Sequence, residues 1–132
     1  MYPPGLTNRL NLYHTTNIQK AKIEFYQYYQ SSGINAGVNA YTVVFRKQNG
    51  VYVNGVSTMN SLDWVYGEVH INEYRMGTYS NVLRESIIIH EMLHVYGLKD
   101  QYYDPYSIMY GYTLYNVTDV TPDANAVINS KY

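Results

Sequence analysis

The segment from His90 to Asp100, HEMLHVYGLKD, follows the apolar run Ile87-Ile88-Ile89 and constrains the fold more than any other part of the chain. Burying a helix this apolar also buries two imidazoles and a carboxylate, which is costly unless they find partners. His90 and His94 are four residues apart, so on an α-helix their rings leave one face about a turn apart. Two nitrogens so spaced can reach one tetrahedral metal ion. Glu91, beside the first of them, can reach a water at that ion without binding the ion itself. Gly97 falls where a left-handed residue ends a helix. Asp100, three residues on, can then return a carboxylate to the same point. Two imidazoles and a carboxylate leave a fourth position open, which is the arrangement of a catalytic zinc (Zn2+) rather than a structural one. Asp104 is a second acidic residue nearby, at an offset that fits less well.

Composition narrows the classes of function. A chain of 132 residues is expected to form one domain with little room for accessories. A formal charge of −1 without runs of Lys or Arg argues against a nucleic-acid partner. No stretch reaches membrane-spanning length, so no membrane partner is expected either. The absence of Cys excludes a disulfide framework, a thiolate metal site and a cysteine nucleophile. Eighteen Tyr stand against two Phe and one Trp, giving aromatic area with a polar tip that suits boundary positions or a cleft. Met1-Tyr2-Pro3-Pro4-Gly5 does not read as a signal peptide, which leaves the compartment open between an intracellular chain and a mature form without its leader. The sequon Asn116-Val117-Thr118 matters only on a glycosylating route.

Along the chain, Arg9 to Tyr13 alternates like a strand. Thr16-Asn17-Ile18-Gln19 fits a capping box, and Ile18, Ala21, Phe25, Tyr28 and Tyr29 continue at helical spacing to about Ser31, with Gly33 as the stop. Ile34 to Asn39 is a weak strand, Tyr41 to Lys47 a strong one. Asn49-Gly50 turns the chain into Val51 to Ser57, which must run antiparallel to its neighbour. Gly67 to Glu73 makes the last strand, with Val69 and Ile71 on one face. Thr78 or Ser80 caps the metal helix, predicted from Asn81 to Tyr96, and Thr121-Pro122-Asp123 opens a final helix toward Tyr132. The expected class is α+β, a mixed and mostly parallel sheet with an antiparallel edge strand, backed by helices.

HExxHxxGxx with a third ligand, followed downstream by Tyr106-Ser107-Ile108-Met109-Tyr110, resembles the metzincin clan of zinc endopeptidases. An acidic third ligand resembles that of small secreted, snapalysin-like members, and the short interval from Asp100 to Met109 is similar to theirs. The resemblance implies one catalytic domain over residues 1–132, with an upper subdomain at 1–97 and a lower one at 98–132. It implies a Met-turn that places Met109 beneath the ligands, and secretion as the compartment. It also implies a peptide or protein substrate laid along the edge strand at Val51, Tyr52 and Val53, and a monomer. Val120-Thr121-Pro122-Asp123 is similar to the opening of the last helix in matrix-type and snapalysin-like domains. Astacin- and serralysin-like members carry a metal-approaching Tyr two residues after the Met, where this chain has Gly111; Tyr110 and Tyr112 flank it as candidates for substrate or oxyanion contact. His70 stands where matrix-type enzymes hold a structural zinc, but without its companions it reads as a packing residue.

These features lead to a zinc-dependent endopeptidase with Glu91 as general base. The alternatives are a non-cleaving metal-binding module that serves as a binding or inhibitory protein, and a hydrolase of small amides on the same helix. Glu91 speaks against the first, an open edge strand against the second.

Overall fold

The computed structural model describes residues 5–7, 15–17, 21–54, 65–112 and 117–131. Asn49 and Gly50 both take positive φ, 51° and 81°, so the chain reverses tightly between Ala40–Gln48 (β2) and Val51–Asn54 (β3). Gln48 pairs with Val51 and Phe45 with Asn54, which makes β3 the antiparallel edge strand. On its other side β2 pairs antiparallel with Tyr66–Asn72 (β4), Thr42 facing Val69. Ile23–Tyr28 (β1) runs parallel to β4, and the sheet order is β1-β4-β2-β3. The protein is thus α+β, with a four-stranded mixed sheet packed against helices and a C-terminal helix.

Three expectations are corrected. Over residues 23–28 the predicted helix is the strand β1, whose side chains alternate as Ile23, Phe25, Gln27 against Glu24, Tyr26, Tyr28. Short β-branched and aromatic segments satisfy both periods, and the parallel partner β4, far off in sequence, decides between them. The predicted mostly parallel sheet fails for the same reason. Parallel neighbours need long crossovers, usually helical, and the segment that would have supplied one is itself a strand. Among the described residues one pair of strands is parallel and two pairs are antiparallel.

The weak strand at Ile34 to Asn39 is instead a run of turns, closed by Ala36 N to Gly33 O and Val38 N to Asn35 O, both 3.2 Å. The buried Asn72 amide explains the loss of pairing, since its Nδ2 donates to the Gln30, Asn35 and Val38 carbonyls at 3.1, 3.4 and 3.3 Å. Asn72 also caps a short helix the sequence reading missed, Glu73–Met76 (α1), by accepting from Tyr74 N. The expected strand Arg9 to Tyr13, the Ile18-Gln19 half of the capping box, the end of the edge strand at 55–57, the sequon's Asn116 and Tyr132 lie outside the described residues.

The helix that carries His90 and His94 is Asn81–Val95 (α2), capped by Ser80 Oγ accepting from Leu83 N. It ends where Gly97 takes φ 89°, with Gly97 N bonded to His94 O and Leu98 N to Leu93 O, the paired bonds of a Schellman cap. α2 packs across β2 and β4, so closely that a Cβ on Gly67 would lie 2.7 Å from Val95 Cγ1. Its residues divide between two cores. Ile87 and Val95 join Ala40, Val69, Ile71 and Met76 under the sheet. Ile89, Leu93 and Tyr96 join Leu98, Ile108, Met109, Val120, Ala124 and Ile128 on the other side, the last two from Pro122–Lys131 (α3). No helix among the described residues is long and apolar enough to cross a membrane.

Candidate metal centre

His90 and His94 leave α2 one turn apart, with ring centroids 4.7 Å apart and planes at 89°. Each ring is held by its Nδ1. His90 Nδ1 donates to the Ile108 carbonyl at 2.7 Å, and His94 Nδ1 to the Leu98 carbonyl at 2.8 Å. A carbonyl oxygen can only accept, so the Nδ1 atoms carry the protons and each neutral ring turns a lone pair outward on Nε2. The two Nε2 atoms are 3.1 Å apart, and Asp100 Oδ1 lies 3.0 Å from the first and 3.3 Å from the second.

Three lone-pair atoms in a near-equilateral triangle repel one another unless a positive charge sits among them. Tetrahedral bonds to zinc of roughly 2.0–2.1 Å separate ligand atoms by roughly 3.3 Å, so the spacing fits such an ion to a few tenths of an ångström. The electrostatics agree. In the absence of an ion, hydrogen bonds from His90 and His94 rings protonated on Nε2 hold the Asp100 carboxyl well below the usual carboxylate range against the opposing effect of its partial burial. Burial pushes His94 down, but the Asp100 and Glu91 carboxylates and the Leu98 carbonyl together raise it. Both shifts state that this point favours positive charge.

Glu91 is buried beside the pair, and ligand atoms of His90, Glu91 and His94 lie within 4.8 Å of one another, a group that could hold a metal ion. Among the described residues no second group of this kind occurs. The Glu91 carboxylate is engaged elsewhere, however: Thr42 Oγ1 lies 2.7 Å from its Oε2 and 2.8 Å from the Glu91 carbonyl. Asp100, more than a third exposed, has the position that Glu91 lacks, in contact with both Nε2 atoms.

The chain beyond Asp100 is fixed by a short pairing, Gln101 N to Met109 O and Gly111 N to Gln101 O, both 2.9 Å. Between these lies a β-turn from Ser107 to Tyr110, closed by Tyr110 N to Ser107 O at 3.1 Å, with Met109 buried beside Leu93 and Ile128 in the second core. Ile108, inside this turn, supplies the carbonyl that holds His90. Tyr110 is half-buried and Tyr112 exposed, their rings 5.6 Å apart, with Tyr102 packed against Tyr112 at 4.9 Å. Tyr102 crosses Gly111 so closely that a Cβ there would be 2.4 Å from its ring. The charge of the nearby Asp100 carboxylate pushes the Tyr102 phenol upward.

Other residues named from sequence are placed elsewhere. Asp104 accepts from Tyr106 N at 3.0 Å and serves its own turn. His70 lies on the sheet face away from α2, stacked between Tyr26 and Tyr41 and 2.8 Å from Glu68. Val51 and Tyr52 are exposed and Val53 partly so, on the edge strand β3. Sequence reasoning missed Thr42, although the alternation that buries Ala40 and Val44 had already put a hydroxyl on the covered face. Comparison with family models, with curated proteins and with solved structures finds no match.

Proposed function

We propose that the chain is a zinc-dependent endopeptidase of metzincin-like type. The observation that carries this reading is the convergence of His90 Nε2, His94 Nε2 and Asp100 Oδ1 at 3.0–3.3 Å, with a buried carboxylate beside them. Asp100 is the third ligand in this reading, because its oxygen touches both nitrogens whereas Glu91 is turned to Thr42. His90, His94 and Asp100 would hold the zinc ion, which would supply a Lewis acid for the scissile carbonyl and for the attacking water. Glu91 takes that water's proton and hands it to the departing amine as the C–N bond breaks. Leu98 and Ile108 hold the imidazoles through their carbonyls, fixing the tautomer that presents Nε2.

The substrate in this reading is an extended peptide added to β3, the outermost of the described strands, along Val51, Tyr52 and Val53. Tyr110 and Tyr112 wall the pocket beyond the cleaved bond and favour apolar or aromatic side chains there. The family likeness rests on His90 to Met109, including the Ser107–Tyr110 turn, and not on the sheet, whose pairing is mostly antiparallel. A non-cleaving module gains nothing from a buried carboxylate beside the ligands, and no observation favours it.

The test is metal content and casein cleavage measured on one purified sample, with Glu91→Ala alongside. The expected result is one zinc per chain, cleavage abolished by chelator, and a mutant that keeps its zinc while kcat falls by at least about a hundredfold. Wild-type protein without metal, or metal-loaded protein that cuts nothing, overturns the reading.

A further inference from the structure

We infer that Thr42 is a positioning residue for Glu91, tethering one carboxylate oxygen so that the other is left to face the reacting water. This rests on the endopeptidase reading. Thr42 stands in the middle of β2, on the face that carries Ala40 and Val44 into the core, where a hydroxyl must find a partner. Its single proton is shared between two acceptors of one residue of the facing helix, Glu91 Oε2 at 2.7 Å and the Glu91 carbonyl at 2.8 Å. Among the described residues no other side chain hydrogen-bonds that carboxylate.

A glutamate has three side-chain torsions, and a carboxylate with one oxygen pinned next to its own backbone has lost most of their freedom. The pin selects a rotamer in which the carboxylate lies within 4.8 Å of both imidazoles without joining their triangle. Nothing local to α2 does this; the constraint comes from the sheet. β2 also leads through Asn49-Gly50 into β3, so the strand that sets the base and the edge offered to the peptide belong to one hairpin.

The test compares wild type, Thr42→Val, Thr42→Ser and Glu91→Ala. Zinc content, melting temperature, kcat and KM on a quenched casein peptide are measured for each. Affinity for acetohydroxamate, whose acidic proton bonds the base, is measured by calorimetry as a readout independent of turnover. Thr42→Val keeps the strand's branched shape and removes only the hydroxyl. The expected result is unchanged zinc and KM, kcat lower by about tenfold or more, and acetohydroxamate binding weakened severalfold. Thr42→Ser restores both, and in a Glu91→Ala background Thr42→Val weakens acetohydroxamate binding no further. Wild-type kcat and acetohydroxamate affinity in Thr42→Val overturn the inference. So does a Thr42→Val that loses zinc or stability together with activity and is not rescued by Ser, because Thr42 is then a packing residue. Failure of the endopeptidase reading is seen separately, in a wild type that binds no metal or cleaves nothing, and the inference falls with it.

Discussion

Ser107 has no exposed surface, yet its hydroxyl is fully used: it donates to Asp123 Oδ2 at 2.6 Å and accepts from Met109 N at 3.1 Å. Thr121 donates to the other Asp123 oxygen at 2.6 Å and accepts from Ile108 N at 3.2 Å. One carboxylate at the start of α3 therefore holds both hydroxyls that hold the turn carrying the Ile108 carbonyl. Burial alone raises Asp123, but its bonds from Ser107, Thr121 and nearby backbone amides outweigh that and lower it. A lowered carboxylate stabilises the fold above its unfolded value of about 3.9, and that contribution is lost as pH falls through the folded value. Asp123→Asn should accordingly cost about 1–2 kcal/mol at neutral pH, and the gap to wild type should narrow as pH falls below about 4. Urea unfolding of the two proteins at pH 7 and pH 3, without metal, checks this; a gap independent of pH counts against it. Asp123 was legible in sequence only as a residue of a helix start. Its bonds to Ser107 and Thr121 depend on a chain reversal that no local pattern encodes.

At the scale of elements, α2 was legible because its signals are local: Ser80 as cap, an apolar periodic face, and Gly97 at the stop. The hairpin was legible for the same reason, through Asn49-Gly50. β1 was not, since Ile23–Tyr28 becomes a strand only beside β4, and its own residues suit a helix nearly as well. Two glycines at the C-terminal end of α2 give a paired prediction. Gly67→Ala forces a methyl to within 2.7 Å of Val95, and Gly97→Ala puts a side chain at φ 89°; each should destabilise by about 1–3 kcal/mol. Only Gly97 sets the direction of the Leu98 carbonyl, which holds His94. Zinc affinity should therefore fall about tenfold or more in Gly97→Ala and stay near wild type in Gly67→Ala. Competition with a chromogenic chelator measures both, and equal losses would refute the distinction.

Across the whole molecule, the ligands of the proposed site come from two places: the imidazoles from the helix between the two cores, the carboxylate from the chain that leaves it. An ion that binds only this folded arrangement stabilises the fold by mass action, about 2.7 kcal/mol when free zinc is a hundred times its Kd. Adding a chelator should lower the melting temperature by several degrees, and restoring zinc should recover it. A chelator that leaves the midpoint unchanged would show that the triangle is not a site for the ion. The division of α2 between the two cores has a mechanical side. With Ile87 and Val95 anchored in one core and Ile89 and Leu93 in the other, the helix is an axle clamped from opposite sides between two bearings. Loosening either bearing tilts the axle and moves the paired imidazoles away from Asp100. The aperture of three atoms at its surface thus gauges the soundness of both halves at once.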